Sequence, residues 1–398
     1  MGSRIPRLHT LMVCVLLVGL AAGATTEQAP RAQPTGDGLL RSELALAGRT
    51  AILAFPPDLR ASDPAHKLLL SAPPPASAGR VRVGQIETTG SLRIGTVDLG
   101  GPAAPEPANQ APQVPVTVRH DLWLEGADEG WQLQVTDAND ALVGQVALAR
   151  LGTTPGSPTL VASLVAEDIA VGRLVIRWGG YLAAADVQFI NPSGRRPQEN
   201  RTPNETINRQ HDEDTSALSR ARLLAQRNET AMVLPKGPRL SISFQRTFAR
   251  GERVDGNRTS RGLTVDGPDF ARLATTPAGS VVMLAESPVP RLRTERSLRF
   301  GKTVVATGNQ VVGFPGSYGL WLKRVGSGWR LVFNNEPDAW GSQHDPKFDA
   351  AEVDLSHSDG HAAARPFAIA LMPGGADRGR LVLIWGPHEW TADFVVAN

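Results

Sequence analysis

The two halves of the chain carry the same landmarks in the same order, and this internal repeat limits the fold more than any other feature. A Leu-Trp-Leu triplet followed by Gly-Trp occurs twice. Trp123 corresponds to Trp321 and Trp131 to Trp329, with offsets of 321 − 123 = 198 and 329 − 131 = 198. The register therefore holds over both tryptophans.

A second block of the repeat has a different offset. The segment 172–175, Gly-Arg-Leu-Val, recurs at 379–382, and Trp178 recurs as Trp385, at 379 − 172 = 207 and 385 − 178 = 207. The difference, 207 − 198 = 9, predicts one insertion of nine residues in the second copy, in the loop around residues 340–349. Two ungapped blocks that differ by one loop-sized insertion indicate a duplication.

The pattern within each copy predicts short strands. Residues 131–135 place Trp, Leu and Val on one face and two glutamines on the other, which is the period of a strand with one face in water. The chain also has 31 prolines and 40 glycines, as turn-rich β proteins do. We expect an all-β fold of two tandem antiparallel β-sandwich domains, jelly-roll-like, with the paired tryptophans in their cores.

The composition also predicts the boundaries. Residues 25–190 form the N-terminal sandwich, and residues 237–398 form the C-terminal one. The polar segment 191–236 between them is typical of a linker, in which Thr215 would cap a short helix over residues 216–227.

The first 24 residues have the pattern of a secretory signal peptide, with Arg4 and Arg7, an apolar run and then Ala22-Gly23-Ala24. We expect cleavage after Ala24, a periplasmic or secreted protein, and no transmembrane span after the signal is removed. The only cysteine, Cys14, lies inside the signal. The remaining chain has 39 basic and 39 acidic residues, which gives no electrostatic reason to expect a nucleic-acid partner.

The C-terminal copy resembles the bacterial family called domain of unknown function 2911. The residues that carry the resemblance span about 240–397 and are Gly316–Trp321, Trp329–Asn335, Asp338, Trp340-Gly341, Asp345 and Leu381–Trp385. The resemblance implies an exported β-rich domain with no assigned activity. The N-terminal copy keeps only the Trp and Gly-Arg-Leu-Val landmarks, so it is interpreted as a diverged duplicate.

One candidate ligand site lies in the predicted insertion loop of the second copy. It combines an aromatic ring with amides, carboxylates and an imidazole, as sites for carbohydrates or polar small molecules do. The alternative is that the tryptophan plugs the edge of the sandwich and the Asn and Asp side chains make turn hydrogen bonds. The candidate residues are Asn335, Asp338, Trp340, His344 and Asp345.

A second candidate follows a predicted strand, where His357, Asp359 and His361 alternate with small residues. Three nitrogen and oxygen ligands within five residues could hold Zn²⁺ or Cu²⁺. The alternative is a loop with solvated histidines, and no cofactor is expected from any other motif.

No standard catalytic signature occurs in the chain. We therefore expect an exported, non-catalytic binding or envelope-associated protein. The alternative is a periplasmic hydrolase or carbohydrate-active enzyme that uses Asp338, His344 and Asp345 as acid/base groups near Trp340. The repeat places any ligand site in the C-terminal copy.

Overall fold

The computed structural model is almost entirely antiparallel β-structure, which confirms the predicted fold class. The described residues belong to one compact unit and include one α-helix. The structure describes residues 38–46, 49–57, 80–100, 117–127, 130–167, 170–190, 227–245, 265, 268–282, 284, 289–307, 316–337, 344–359 and 366–397.

The described part of the first copy forms ten strands in two sheets. They are β1 (Leu40–Leu46), β2 (Arg49–Phe55), β3 (Arg80–Thr89), β4 (Leu92–Ile94), β5 (Val97–Leu99), β6 (Thr117–Ala127), β7 (Gly130–Thr136), β8 (Leu142–Ala147), β9 (Ala149–Ala166) and β10 (Val171–Phe189). One sheet has the order β1-β2-β3-β6-β7-β8. The other has the order β5-β4-β10-β9.

The second copy repeats this plan. Its elements are β11 (Arg227–Val233), β12 (Arg239–Gln245), α1 (Pro268–Thr275), β13 (Val281–Val282), β14 (Arg291–Thr294), β15 (Leu298–Phe300), β16 (Thr303–Val305), β17 (Ser317–Val325), β18 (Gly328–Asn334), β19 (Asp349–Asp359), β20 (Ala368–Pro373), β21 (Arg378–Trp385) and β22 (His388–Val396). One sheet runs β11-β12-β14-β17-β18-β19. The other runs β16-β15-β22-β21-β20.

Strand registers confirm the duplication. Leu124 pairs with Leu133 across β6 and β7, and Leu322 pairs with Leu331 across β17 and β18, at the offset of 198. The two copies also share a buried hydrogen bond that no sequence match revealed. The Leu164 amide donates to Ser42 Oγ at 3.0 Å, and the amide at the matching position 371 donates to Thr230 Oγ1 at 3.4 Å.

The insertion lies where the offsets place it. In the first copy, Thr136 pairs with Leu142, so 141 − 136 = 5 residues lie between β7 and β8. In the second copy, Asn334 pairs with Asp349, so 348 − 334 = 14 residues lie between β18 and β19. The difference of nine residues matches the change of offset, and both scaffolds keep the strand pair that closes the loop.

The two copies share a continuous sheet, because β1 pairs with β11 in antiparallel orientation. Ser42 pairs with Met232 and Leu44 pairs with Thr230, as expected for equivalent strands related by a pseudo-twofold axis. Strand β11 lies inside the segment predicted as a linker, so the second copy begins at least ten residues before residue 237. The predicted helix over residues 216–227 falls almost wholly outside the described residues, and its last residue, Arg227, begins β11.

The prediction that all paired tryptophans lie in the sandwich cores is wrong for one pair. Trp131, Trp178, Trp329 and Trp385 belong to the main core, together with most buried side chains. Trp321 lies on the opposite face of β17 from Leu320 and Leu322, in a separate cluster with two valines. Its counterpart Trp123 is only half-buried. The strand period of two, which predicts a strand, does not say which face is covered.

Candidate metal centre and the insertion loop

The insertion loop of the second copy is held against the sheet by polar contacts. Nε2 of His344 lies 2.7 Å from Oδ1 of Asp349, and Asn334 donates from Nδ2 to the same oxygen at 2.9 Å. Oδ1 of Asp345 accepts from the Lys347 amide at 3.0 Å and caps a short 3₁₀ turn. The Asn335 amide donates to the Phe348 carbonyl at 2.8 Å.

These contacts cover the outer tryptophan of the second copy. The imidazole of His344 packs edge-on against the indole of Trp321, with 5.4 Å between the ring centroids. His344 and Asp345 therefore make contacts that hold the loop in place. Asp338 and Trp340 lie outside the described residues. The binding role of this predicted set stays a prediction.

A different group of side chains converges at the far end of β19. His357 and Asp359 from the end of β19 meet His388 from the start of β22. Nδ1 of His388 lies 2.5 Å from Oδ1 of Asp359 and 3.3 Å from Nε2 of His357. Nε2 of His357 is 3.3 Å from the same Asp359 oxygen. His361, the third residue of the predicted metal motif, lies outside the described residues.

Strand geometry explains why these three groups meet. His357 and Asp359 are two residues apart on β19, so both side chains point to the same face. Strands β19 and β22 pair in antiparallel register, with Asp359 opposite His388. His388 directly follows the two-residue turn between β21 and β22, where Gly386 has a positive φ of 59°. Sequence separation hid this neighbour, and only the pairing of the two strands could have revealed it.

The two histidines of the cluster line a cleft of about 200 Å³, together with Arg324, Trp329, Trp390 and the end of α1. The ring of His357 stacks on Trp390 at 5.3 Å with an interplanar angle of 23°. On the other side, Phe270 of α1 lies 5.9 Å from the ring of His388. Aromatic packing thus restrains both imidazoles.

Helix α1 approaches closely at the turn before His388. A Cβ atom added to Gly386 would lie 2.8 Å from two ring atoms of Phe270, which is too short for carbon atoms in contact. Glycine at this position therefore serves both the left-handed backbone and the packing of the helix. The sequence Gly386-Pro387 alone reveals neither the left-handed backbone nor the packing of the helix.

The surroundings of the cluster keep its groups in the form that binds cations. Burial lowers the pKa of His357, an effect that the nearby Asp359 carboxylate opposes. The hydrogen bond from His388 lowers the pKa of Asp359 below the usual range of a carboxyl group. At neutral pH the cluster therefore offers a carboxylate and a neutral His357 imidazole, the forms that ligate metals.

The spacing also fits a small divalent ion. Metal–ligand bonds of about 2.0–2.1 Å in a tetrahedral site place ligand atoms about 3.3 Å apart. Two of the three edges are 3.3 Å long. The third edge, between His388 and Asp359, is 2.5 Å and is that of a hydrogen bond, so it would open by about 0.8 Å around an ion of that geometry.

The first copy lacks these ligands. At the offset of 207, Arg150, Gly152 and Tyr181 replace His357, Asp359 and His388. The guanidinium of Arg150 lies over the ring of Tyr181, 5.4 Å from its centroid. The same strand pair is thus closed by a cation–π contact in one copy and by a His–Asp–His cluster in the other.

No helix among the described residues is long and apolar enough to cross a membrane.

Comparison with known proteins assigns one part of the chain. The search of curated proteins and the search of solved structures gave no match. Residues 294–394 match the family model described as "Protein of unknown function (DUF2911)". The match begins at the end of β14 and includes β19 and β22, the strands that carry the cluster. The C-terminal region of this chain is therefore similar to the DUF2911 family over residues 294–394, and the match does not extend into the N-terminal copy.

Proposed function

We propose that this protein is an exported binding protein that holds a divalent transition-metal ion at His357, Asp359 and His388. The observation that carries the proposal is the convergence of three ligand atoms from two strands, all within 4.8 Å of one another. Two imidazoles and a carboxylate are ligands typical of Zn²⁺ and of several neighbouring metals. Export is inferred from the signal-peptide pattern of the first 24 residues, and the periplasm or the medium is the proposed location.

Three protein ligands leave at least one coordination position open. In a zinc site this position is filled by water or by a bound molecule. The cleft beside the cluster contains Arg324, whose guanidinium lies over Trp329 at 4.7 Å. A small polar molecule with an anionic group could therefore ligate the metal and contact Arg324, which is consistent with a binding protein for a small ligand.

Titration of the full chain with Zn²⁺ by calorimetry tests the proposal. We expect one site per chain and a loss of affinity of about 10- to 100-fold in His388→Ala, since a missing ligand weakens the site strongly. His344→Asn is the matched control, because His344 contacts Asp349 outside the cluster. Equal zinc binding by His388→Ala, or loss of binding in His344→Asn, would place the site elsewhere.

Zinc affinity should also fall with pH. Ligation needs a neutral imidazole, so protons compete with the metal. We expect the affinity to drop by more than about tenfold between pH 7.5 and pH 5.0. Because the pKa of His357 is lowered, protons displace zinc from this imidazole only at a pH below the usual imidazole range. The same lowered pKa means that the unfolded chain takes up this proton first, so the metal-free protein loses stability as the pH falls below about 6.5. Calorimetry at each pH, with chloride as the anion and at matched ionic strength, measures the zinc affinity. An affinity that does not change with pH would contradict imidazole ligation.

A metal-dependent hydrolase is the second candidate, and the open coordination position beside Arg324 favours it. A bound Zn²⁺ can lower the pKa of its water to about 7 and generate a nucleophile. Hydrolysis of a phosphate or carboxylate ester that depends on Zn²⁺ and on His388 would support this function over binding alone. The hydrolase predicted near Trp340 has less support, since His344 and Asp345 contribute to loop packing.

A further inference from the structure

We propose that a second pocket, formed where the two copies meet, binds a small molecule that carries a phosphate group. The pocket has a volume of about 420 Å³, within the usual range of small-molecule sites. It lies on β15, β21, β22 and β10, away from the cleft of the His–Asp–His cluster. Four arginines line it: Arg177, Arg299, Arg378 and Arg380.

Strand register brings the four arginines together. Arg378 and Arg380 are two residues apart on β21, so both point to the same outer face of the sheet. Val395 of β22 pairs with Arg378 on one side and with Arg299 of β15 on the other, which places these residues in one row. Arg177 comes from β10 of the first copy and lines the pocket from the other side of the junction between the two copies.

The positive charge in this pocket is only partly balanced. Arg380 binds Asp393 through two contacts of 2.5 and 2.8 Å. Of the described residues that line the pocket, Asp393 alone is acidic. Arg378 pairs with Asp377 beside the pocket, with Nε 3.2 Å from Oδ1. Among the residues that the structure describes, neither Arg177 nor Arg299 forms an ion pair. The Nε atom of Arg177 is buried and has no hydrogen-bond partner.

An incompletely paired guanidinium beside a second arginine is unfavourable. Burial lowers the pKa of Arg177, and the nearby charge of Arg380 lowers it further. Buried charge without a partner costs free energy, and like charges in a partly desolvated site repel. A bound dianion would remove both penalties at once.

Two of the four arginines have apolar counterparts in the other copy, whereas Arg173, the counterpart of Arg380, keeps an aspartate partner, with Nε 3.5 Å from Oδ1 of Asp186. At offset 207, Ile384 replaces Arg177 and packs in the apolar seam between the copies, and Val171 replaces Arg378. At offset 206, which the strand pairs Leu92–Leu99 and Leu298–Val305 define, Arg93 is the counterpart of Arg299. Arg93 pairs with Asp98 at 2.5 Å.

The acid of that pair is missing in the second copy. Val304 occupies the position of Asp98, and its side chain is 53% exposed. The second copy therefore lacks the partner that neutralises Arg93 in the first. Arginines outnumber their acidic partners in this pocket but not at the equivalent position on the other side of the pseudo-twofold axis. Such a difference between the copies is typical of a binding site rather than of the scaffold.

The chemistry of the lining selects the ligand class. Guanidinium groups bind phosphate oxygens in bidentate pairs, and several arginines suit a doubly charged anion better than a single carboxylate. The backbones of Gly301, Gly374 and Gly379 also line the pocket and allow close approach of a ligand. The volume leaves room for an organic group beyond the phosphate.

Titration with pyrophosphate tests this proposal in the full chain. Experiments at constant ionic strength, in a chelator that removes metal ions, separate the result from that of the zinc site. We expect pyrophosphate to raise the melting temperature of the native protein, and Arg177→Ile to lose at least tenfold in affinity. Arg177→Ile should also be more stable than the native protein without the anion, because isoleucine is the residue of the other copy. A merely structural Arg177 would give the opposite sign.

Two further variants provide the controls. Arg299→Leu should weaken pyrophosphate binding, whereas the matched Arg93→Leu should leave it unchanged. Equal binding by the native protein and both pocket variants, or no binding by the native protein, would overturn the proposal. Vesicles that contain phosphatidylglycerol form a separate arm, and binding to them without any binding of pyrophosphate would replace a small ligand by a membrane surface.

Discussion

Trp321→Ala is expected to lower the free energy of unfolding by about 3–5 kcal/mol, the usual cost of truncating a large buried aromatic side chain. Trp123→Ala should cost only about 1–2 kcal/mol, because partly exposed positions lose less. Trp321 is 1% exposed and is covered by the insertion loop. Trp123 is half-buried beneath Arg80, whose guanidinium lies 4.3 Å from the ring centroid. Urea unfolding of both variants measures the difference.

The comparison of the two tryptophans tests whether the insertion loop helps to shield Trp321. Both occupy the same position on equivalent strands, and each strand pairs with the same neighbours. Their surroundings differ in the nine extra residues, which bring His344 onto Trp321, and in the cross-strand partner, which is Val332 for Trp321 and Gln134 for Trp123. Equal costs for the two variants would mean that the loop does not shield Trp321 and is freer to bind a ligand.

The triple variant His357→Arg, Asp359→Gly, His388→Tyr should fold but gain no stability from zinc. At a zinc concentration of about 100 times Kd, the native protein should gain about 2.7 kcal/mol. The substituted residues are those of the first copy, where Arg150 packs over Tyr181 in the equivalent strand pair. We therefore expect the metal-free variant to retain the fold, and thermal unfolding with and without zinc measures the gain.

A zinc-dependent gain in this variant would contradict the proposed ligands. A variant that fails to fold is not expected, since the same residues close the same strand pair elsewhere in the chain. Circular dichroism of the metal-free variant establishes the folded state before zinc is added. The comparison thus uses the first copy as a natural control for the second.

Much of the fold could be predicted from the repeat. The change of offset between Trp131 and Trp178 located the insertion between β18 and β19, because strands keep register while loops vary in length. The offsets also predicted which residues are equivalent, and the equivalent pairs Leu124 with Leu133 and Leu322 with Leu331 agree with them. These features depend on local pattern and chain order, which the sequence contains.

The junction of the copies could not be predicted in this way. Strand β11 follows a polar segment, and its pairing with β1 joins residues about 190 positions apart, as Ser42 with Met232. A pattern of alternating residues predicts a strand but not its partner. The predicted linker, which ended at residue 236, therefore wrongly included β11, a strand of the second copy.

The His–Asp–His cluster could be predicted only in part. The sequence named His357 and Asp359 as ligands but placed them after a strand, whereas β19 continues to Asp359 and so brings both side chains to one face. His388 enters through the β19–β22 pair, 29 residues after Asp359. The predicted third ligand, His361, was chosen by proximity in sequence, whereas the structure supplies a partner from the neighbouring strand.

A crystal structure of the full chain with Zn²⁺, with anomalous difference maps at the zinc edge, tests the central claim most directly. We predict a peak bonded to Nε2 of His357, Nδ1 of His388 and a carboxylate oxygen of Asp359, and no peak near Arg150 and Tyr181. A peak at His344 and Asp349 instead, or no ordered zinc at a saturating concentration, would contradict the account.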